Sequence, residues 1–358
     1  MALRVAVWGT GNAGRPAIRA VAAHRDLDLV GVIVSNPAKV GLDAGELAFI
    51  EPIGVAATDD AASVLAAGVD AVVYTATGDT RPDDATRDLL QCLRAGANVV
   101  STSFYSLLHP PSAPAPLRAD IDDACRDSGA SVFVSGIDPG WALDILPAFV
   151  SGVGAGITEV RVMELFNYAL YDQPAVVREV IGFGGSMDDL PLMLWDASLE
   201  YVWGPMVRVL GDALGLSVDR ISTHVERLPL ETTIDVPGMG EFVAGTQGAF
   251  RFEVRGHVGD AVPLVVEHVT RISDDCAPDW PQPAFPGGEH RVQLTGHPNL
   301  TVAIHGTEPG EPGAAGGGNA SAANRIVNAI PAVCAAPPGL VGPFDLPPIT
   351  GARQIKIG

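Results

Sequence analysis

Near the start of the chain lies a glycine-rich segment, Gly9-Thr10-Gly11-Asn12-Ala13-Gly14, with the spacing of a dinucleotide-binding fingerprint. In that fingerprint the first glycine permits a tight turn, the second lets backbone approach a pyrophosphate, and the third permits close contact between helix and strand. The amides and dipole of a helix that begins here would favour the phosphates. The segment follows a strand-like run and opens a helical one, which is the context the fingerprint requires. The alternative is a glycine-rich turn without a ligand.

The choice of cofactor is made at the end of the second strand, where this chain has Ser35-Asn36-Pro37-Ala38-Lys39. In proteins that bind NAD, an Asp or Glu at this place bonds the ribose 2′-hydroxyl and repels a 2′-phosphate. No acid stands here, and Ser35, Asn36 and Lys39 can all reach a phosphate. The pattern favours NADP(H), or tolerance of NADP(H) and NAD(H), unless Lys39 is a solvated surface lysine. Arg15 can likewise neutralise a phosphate or face water.

Three further turns follow strand-like runs: Thr75-Ala76-Thr77-Gly78, Ser101-Thr102-Ser103 and Gly136-Ile137-Asp138-Pro139-Gly140-Trp141. In a doubly wound sheet the carboxyl ends of the strands hold the ligand. We therefore predict that Ala76, Thr77, Gly78, Ser101 and Thr102 line the path of the cofactor.

The elements that position these residues alternate as strand and helix up to about Ile145, which predicts a Rossmann domain with a doubly wound parallel sheet over 1–145. From 146 to 318 longer strands with period-2 alternation predict an α+β domain, with a mainly antiparallel sheet open to solvent on one face. Within it, Glu308 to Gly318 is typical of a mobile loop. Over 319–358 we expect a helix, from Asn319 to Ala336, and a Pro-rich tail that pack back on the Rossmann domain.

Composition narrows the class of protein. The 358 residues include 22 Lys and Arg against 42 Asp and Glu, a formal net charge of −20, which argues against nucleic acid and anionic membranes as partners. No apolar run reaches the ~18 residues that a membrane span needs. The four cysteines show no paired spacing, so we predict reduced thiols, no metal site and a cytoplasmic protein.

Several segments together are similar to one family: 30–47 (VGVIVSNPAKVGLDAGEL), 98–102 (NVVST), 136–141 (GIDPGW) and 323–333 (ANRIVNAIPAV). They resemble the 2,4-diaminopentanoate dehydrogenase and native amine dehydrogenase family, a distant relative of dihydrodipicolinate reductase, over nearly the whole chain. The resemblance implies a Rossmann domain, an α+β substrate domain that forms homodimers, and NAD(P)H-dependent interconversion of amines and carbonyls.

The chain departs from this family at one position. Where the amine dehydrogenases carry a glutamate that activates ammonia or deprotonates the amine, this chain has Phe104, which cannot be a general base. Either another carboxylate replaces it, with Asp138, Glu164 and Asp172 as candidates, or the reaction differs from reductive amination. Tyr105 is a further candidate, as a proton donor to a developing alkoxide.

Aromatic side chains are expected around the substrate: Phe104, Trp141, Tyr168, Tyr171 and His268. For Tyr168 and Trp141 the alternative is core packing, and for His268 it is a hydrogen-bonded core histidine. The chain is thus predicted to be an oxidoreductase that interconverts a small hydrophobic amine and its carbonyl compound. The alternatives are a ketone or imine reductase without ammonia activation, and a non-catalytic NADP(H)-binding sensor.

Overall fold

The computed structural model describes residues 2–78, 81–171, 173–310 and 313–355. The chain divides into two compact units, of which the first combines Met1–Ile137 with Asn319–Gly358 and the second is Asp138–Gly318. The boundary that the sequence suggested, between residues 145 and 146, therefore lies inside the second unit.

In chain order, the first elements are β1 (Leu3–Trp8), α1 (Gly14–Ala23), β2 (Leu27–Ile33), α2 (Ala44–Leu47), β3 (Ala57–Thr58), α3 (Ala61–Ala66), β4 (Ala71–Tyr74), α4 (Pro82–Arg94), β5 (Asn98–Ser101), α5 (Ala115–Ser128) and β6 (Ser131–Val134). There follow α6 (Ile145–Ser151), β7 (Ala155–Asn167), α7 (Asp196–Ala213), β8 (Arg220–Pro229), β9 (Ile234–Val236), β10 (Gly240–Phe242), β11 (Gln247–Val258), β12 (Ala261–Arg271), β13 (Gly288–His297), β14 (Leu300–Ile304), α8 (Gly313–Cys334) and β15 (Gly339–Val341). Short helical turns cover Pro37–Lys39, Tyr105–Leu107, Pro110–Ser112, Tyr168–Leu170, Val176–Val180 and Leu192–Leu194.

The first unit is built on a parallel sheet of order β15-β6-β5-β4-β1-β2-β3, as far as the described residues show. Strands β4 and β6 are buried at every position, because helices cover both faces of a doubly wound sheet. The fold class predicted from the alternation of strands and helices is thus confirmed. The C-terminal helix α8 contributes Ile326 and Ile330 to the core that holds Val5, Val73 and Phe133.

The second unit contains, among its described residues, a sheet of order β14-β13-β7-β12-β11-β8. Only the pair β7 and β12 runs parallel; the other neighbouring strands are antiparallel. This confirms the mainly antiparallel α+β expectation and places β7 between β13 and β12, in the middle of the sheet.

Two expectations from the sequence about the second unit are wrong: that its sheet is open to solvent on one face, and that residues 308–318 form a mobile loop. The sheet is not open to solvent along β12, since every residue from Leu264 to Arg271 is buried, including Glu267 on the face opposite to His268. That face is closed by ion pairs from Glu267 to Arg161 and Arg251.

The segment expected to be a mobile loop, Glu308 to Gly318, is helical from Gly313 onward. Gly317 is needed for close packing, because a Cβ there would lie 2.2 Å from the carbonyl oxygen of Gly306. In the part of the chain that the structure describes, no helix is long and apolar enough to cross a membrane.

Candidate active site and cofactor groove

The glycine-rich turn between β1 and α1 has the geometry that phosphate binding needs. Gly9 has a φ of +110°, and a Cβ there would lie 2.8 Å from the amide nitrogen of Ala76. A Cβ on Gly14 would lie 2.0 Å from the carbonyl oxygen of Gly9, so both glycines are needed for packing. Gly11 differs, since no described atom lies within 4 Å of the Cβ it would carry. Its backbone is open to a ligand, as the second glycine of the fingerprint should be.

Beside this turn lies a groove of about 490 Å³, lined by Thr10, Gly11, Asn12, Arg15, Lys39, Leu42, Glu46, Leu47 and Phe49. Both predicted cations border it, and both have partners. Lys39 donates from Nζ to the carbonyl oxygen and the Oγ1 of Thr10, at 3.2 and 3.0 Å, and Arg15 donates to Oδ1 of Asn12 at 2.7 Å.

Glu46, from α2, also lines the groove, and no sequence pattern indicates it because it stands well beyond the strand end. A carboxylate at the groove repels a 2′-phosphate, so the negative charge of Glu46 offsets part of the positive charge of Arg15 and Lys39.

The other residues predicted to bind the cofactor differ in exposure and in whether their polar groups already make hydrogen bonds within the protein. Ser101 is buried, donates from its hydroxyl to the carbonyl oxygen of Tyr74 at 2.8 Å, and accepts from the amide of Ser103 at 3.0 Å, so it serves the sheet. Ser35 and Asn36 are exposed, but Asn36 Oδ1 already accepts from the Ala38 amide at 3.0 Å.

On the neighbouring turns, Thr77 is exposed, while Ala76 and Thr102 are half-buried and Gly78 is buried. Gly78 is required for packing, because its Cβ would lie 2.4 Å from the carbonyl oxygen of Ser103.

Phe104 packs in the first unit. It is 7% exposed, and its ring centroid lies 5.3 Å from that of Tyr74. Tyr105 begins the short helical turn that follows and is half-buried, as is Trp141, which lies in a turn of the second unit. Asp172 lies outside the described residues.

The second unit brings the other candidates together in one row across its sheet. Glu164 on β7 pairs in register with His268 on β12 on one side and with His290 on β13 on the other. Side chains paired across neighbouring strands point to the same face, so the three form a continuous polar row on one face of the sheet. Asp138, the first residue of the unit, reaches this row from a turn.

The polar atoms of this row lie close to one another. His268 Nε2 is 3.1 Å from Asp138 Oδ2, and His268 Nδ1 is 3.4 Å from Glu164 Oε1. His290 Nε2 is 3.9 Å from Asp138 Oδ2 and 3.7 Å from Glu164 Oε2. Tyr168 donates from its hydroxyl to Glu164 Oε1 at 3.0 Å.

Hydrogen bonding within the row is incomplete. Asp138 Oδ2, His268 Nε2 and His290 Nε2 are fully buried, yet none has a hydrogen bond of good geometry to another described residue. Because a buried polar atom without a partner costs free energy, such atoms in one place point to a ligand or water that satisfies them.

Aromatic rings surround the row. The imidazole of His268 stacks on Phe252 with 4.6 Å between centroids and meets the Trp203 ring edge-on at 4.7 Å. Trp203 also donates from Nε1 to Asp138 Oδ1 at 2.8 Å, which fixes that carboxylate. Tyr168 and Tyr171 stack with 5.1 Å between centroids. His268, Tyr168 and Tyr171 thus meet, with Glu164 and Asp138, in one place.

The pKa values follow from this arrangement. Burial alone would lower the pKa of His268, but the charges of Asp138 and Glu164 outweigh it and raise the pKa to about 10. Burial alone would raise the pKa of Glu164, but the charge of the neighbouring His268 holds it well below its usual range. Burial and the charge of Glu164 raise the pKa of Tyr171 to about 12. At neutral pH His268 is therefore an imidazolium, and its two ring nitrogens face Asp138 and Glu164.

Sequence reasoning missed His290 and Trp203. His290 shares one face of β13 with the apolar Val292 and Leu294, as His268 shares one face of β12 with Val266 and Leu264. The same period-2 pattern could therefore have indicated His290. Trp203 stands in the middle of α7, where nothing in the sequence separates it from a core aromatic.

Comparison with known proteins identifies the family. Residues 3–104 match the model of the dihydrodipicolinate reductase N-terminus. The chain is 49% identical over 343 residues, 95% of each chain, to the amine dehydrogenase of Streptomyces virginiae. It is 24% identical over 253 residues to the 2,4-diaminopentanoate dehydrogenase of Acetoanaerobium sticklandii, covering 70% of this chain and 66% of that one.

Among solved structures, the amine dehydrogenase of Mycobacterium smegmatis has a similar fold, with a TM-score of 0.77, 23% identity and coverage of 99% of this chain and 98% of that one. GenD2 from gentamicin A biosynthesis, solved in complex with NAD, is more distant, with a TM-score of 0.53, 15% identity and coverage of 92% and 86%. By its likeness to the Streptomyces virginiae protein over almost its whole length, the chain belongs to the amine dehydrogenase family of NAD(P)-dependent oxidoreductases.

Proposed function

We propose that this protein is an NAD(P)(H)-dependent amine dehydrogenase that interconverts a small hydrophobic amine and its carbonyl compound by hydride transfer at C4 of nicotinamide. The observation that carries this proposal is the buried group of Asp138, Glu164 and His268. It offers acid–base chemistry in a chain whose residue 104 is a phenylalanine and cannot provide it.

In the reductive direction His268 is the proton donor. Ammonia adds to the ketone to give a carbinolamine, and the proton of the His268 imidazolium passes to the hydroxyl that leaves as water. The product is an iminium ion, and a bound reduced nicotinamide cofactor would supply the hydride that converts it to the amine. Neutral His268 then regains its proton from solvent. In the oxidative direction neutral His268 accepts the proton that is released when water adds to the iminium ion.

The negative charges of Asp138 and Glu164 favour a reaction in which the substrate becomes a cation. When His268 donates its proton, Asp138 and Glu164 are left beside a neutral imidazole, so the group becomes more negative by one charge. Preorganised negative charge in a buried site stabilises a developing iminium ion and offers nothing comparable to an alkoxide. This supports an amine dehydrogenase over a ketone reductase that acts without ammonia.

The rings around the group support a hydrophobic substrate. Phe252 and Trp203 hold His268, while Tyr168 and Tyr171 border Glu164. Sites for small apolar molecules combine an aromatic lining with a few polar groups in fixed places.

For the cofactor we propose NADP(H), with NAD(H) also accepted. Arg15 and Lys39 supply two positive charges beside the glycine turn, and Glu46 opposes them with one negative charge. Ser35→Asp should weaken binding of NADPH and spare NADH, whereas an unchanged preference would show that the 2′-phosphate is not held at residue 35. Glu46→Gln should shift the preference in the opposite direction.

We also propose that the protein is a cytoplasmic homodimer, on the basis of the family resemblance and of four cysteines that are all free thiols. Analytical ultracentrifugation and cell fractionation test the two statements separately.

The experiment that tests the function uses amines and alcohols with the same carbon skeleton. The purified protein is offered NAD⁺ or NADP⁺ with each, and NADPH or NADH with the ketone, with and without ammonia. We expect oxidation of the amine and ammonia-dependent reduction of the ketone. Reduction of the ketone without ammonia would instead establish the reductase, and cofactor binding without any turnover would establish the sensor.

A further inference from the structure

An exposed aromatic ring stands at the edge of the cofactor groove. Phe49 lines the groove and is 73% exposed, more than most large apolar side chains of the chain. Its backbone is in the left-handed region, with a φ of 57°, which a residue with a Cβ rarely adopts. Such strain persists only where the surrounding structure enforces it, and it concentrates at functional positions.

The segment that carries Phe49 is rigidly held. The carboxylate of Asp43 accepts hydrogen bonds from the amides of Gly45, Ile53 and Gly54, at 2.7, 2.8 and 2.7 Å. The amide of Ile50 donates to the carbonyl oxygen of Gly45 at 2.9 Å. These bonds fix the chain on both sides of Phe49, so its exposure is imposed by the fold.

A second side chain of the groove is aligned with the ring. The guanidinium carbon of Arg15 lies 5.2 Å from the Phe49 centroid, within the range of a cation–π contact. Arg15 is itself held by Asn12, in the glycine turn. The ring is therefore tied to the part of the groove where the fingerprint would place the phosphates.

We propose that Phe49, supported by Arg15, is the stacking platform for the adenine ring of the dinucleotide. The proposal rests on the proposed function, since it takes the groove to be the cofactor site. Every nucleobase has a flat π-face, so stacking on an aromatic side chain contributes strongly to binding whichever base is present. The contribution also does not depend on whether the ribose carries a 2′-phosphate. The apolar Leu42 and Leu47 beside Phe49 suit a base better than a phosphate or a ribose.

The test compares Phe49→Leu, which keeps an apolar side chain but removes the ring, with Phe49→Trp, which keeps a ring. Phe149→Leu is the matched control, because Phe149 is 60% exposed and belongs to the second unit. Binding of AMP, NADH, NADPH and nicotinamide mononucleotide is measured by calorimetry, with thermal melting as the check on folding.

We expect Phe49→Leu to weaken the binding of AMP, NADH and NADPH alike, by about tenfold, and to leave the binding of nicotinamide mononucleotide unchanged. Phe49→Trp and Phe149→Leu should bind as the wild type does. If the wild type binds AMP and NADH and Phe49→Leu binds them equally well, the stacking proposal is wrong and the proposed function stands. If the wild type binds no dinucleotide, the proposed function fails, and this proposal with it.

Discussion

Glu164 and His268 face each other on the parallel strands β7 and β12, with 3.4 Å between Oε1 and Nδ1. Their relation is set by the hydrogen-bonded ladder of the sheet, which holds side chains more firmly than loops do. Asp138 completes the pair from the other side of the imidazole and is anchored by the indole of Trp203. The group is thus fixed in geometry and in charge.

The pH dependence of the reaction should report His268. Its pKa is raised to about 10, so the imidazolium is present at neutral pH and is lost only as the pH rises through that value. Amine oxidation, which needs neutral His268, should rise about tenfold per pH unit below pH 10 and then level off. Reductive amination at a constant concentration of free ammonia should persist to about pH 10 and fall above it.

Asp138→Asn tests the cause of this shift. Its Oδ1 can still accept from Trp203, but a negative charge beside His268 is lost, so the pKa of His268 should fall and both pH profiles should move to lower pH. Profiles that stay in place would show that Asp138 does not set this pKa.

Glu164→Gln should lower kcat for the amine by about 10²–10³-fold, as expected when one electrostatic stabiliser of the transition state is removed. The amide keeps an acceptor for the hydroxyl of Tyr168, so the fold should survive, as thermal melting can verify. Glu226→Gln, at a half-exposed position of β8, is the control and should retain full activity. Equal rates for the two variants would remove Glu164 from the mechanism.

Substitutions at two glycines of the turn should affect cofactor binding and protein stability separately. Gly11→Ala places a methyl group in open space and should melt as the wild type does, while binding NADH and NADPH more weakly. Gly14→Ala places its methyl group against the carbonyl oxygen of Gly9 and should lower the melting temperature. If Gly11→Ala bound the cofactors normally, the pyrophosphate would not lie over this turn.

Sequence patterns identified the strands of both sheets because the apolar runs and the period-2 alternation follow from burial on two faces or on one. They also placed Gly9, Gly11 and Gly14 correctly at the β1–α1 turn. They could not show that Ser101 is turned into the sheet, or that Glu46 reaches the groove, since both depend on tertiary contacts between distant segments.

The polar row was predicted in pieces only. The sequence indicates Asp138, Glu164 and His268 as separate candidates. Only the register of β7 with β12 and β13 shows that Glu164 lies beside His268 and that His290 belongs to the same row. The loop at 308–318 was misjudged because glycine-rich composition is typical of flexible chain, whereas Gly317 is needed for close approach to Gly306.

Metal removal tests another property of the row. Asp138, Glu164 and His268 offer ligand atoms within 4.8 Å of one another. Since a protonated His268 already compensates the carboxylates, we expect dialysis against a chelator to leave amine oxidation unchanged. Loss of activity that is restored by zinc would show that the row binds a metal and that His268 is not the proton donor.

The role of His268 as the proton donor is tested most directly by measuring NAD(P)⁺ reduction by an amine substrate with His268→Asn and His224→Asn. His224 lies on β8 with a half-exposed side chain and is the matched control. If His268 is the proton donor, His268→Asn should lose about 10²–10⁴-fold in kcat while still binding cofactor, and His224→Asn should be unaffected. A His268→Asn variant that is folded and oxidises the amine at the rate of the wild type would contradict this role.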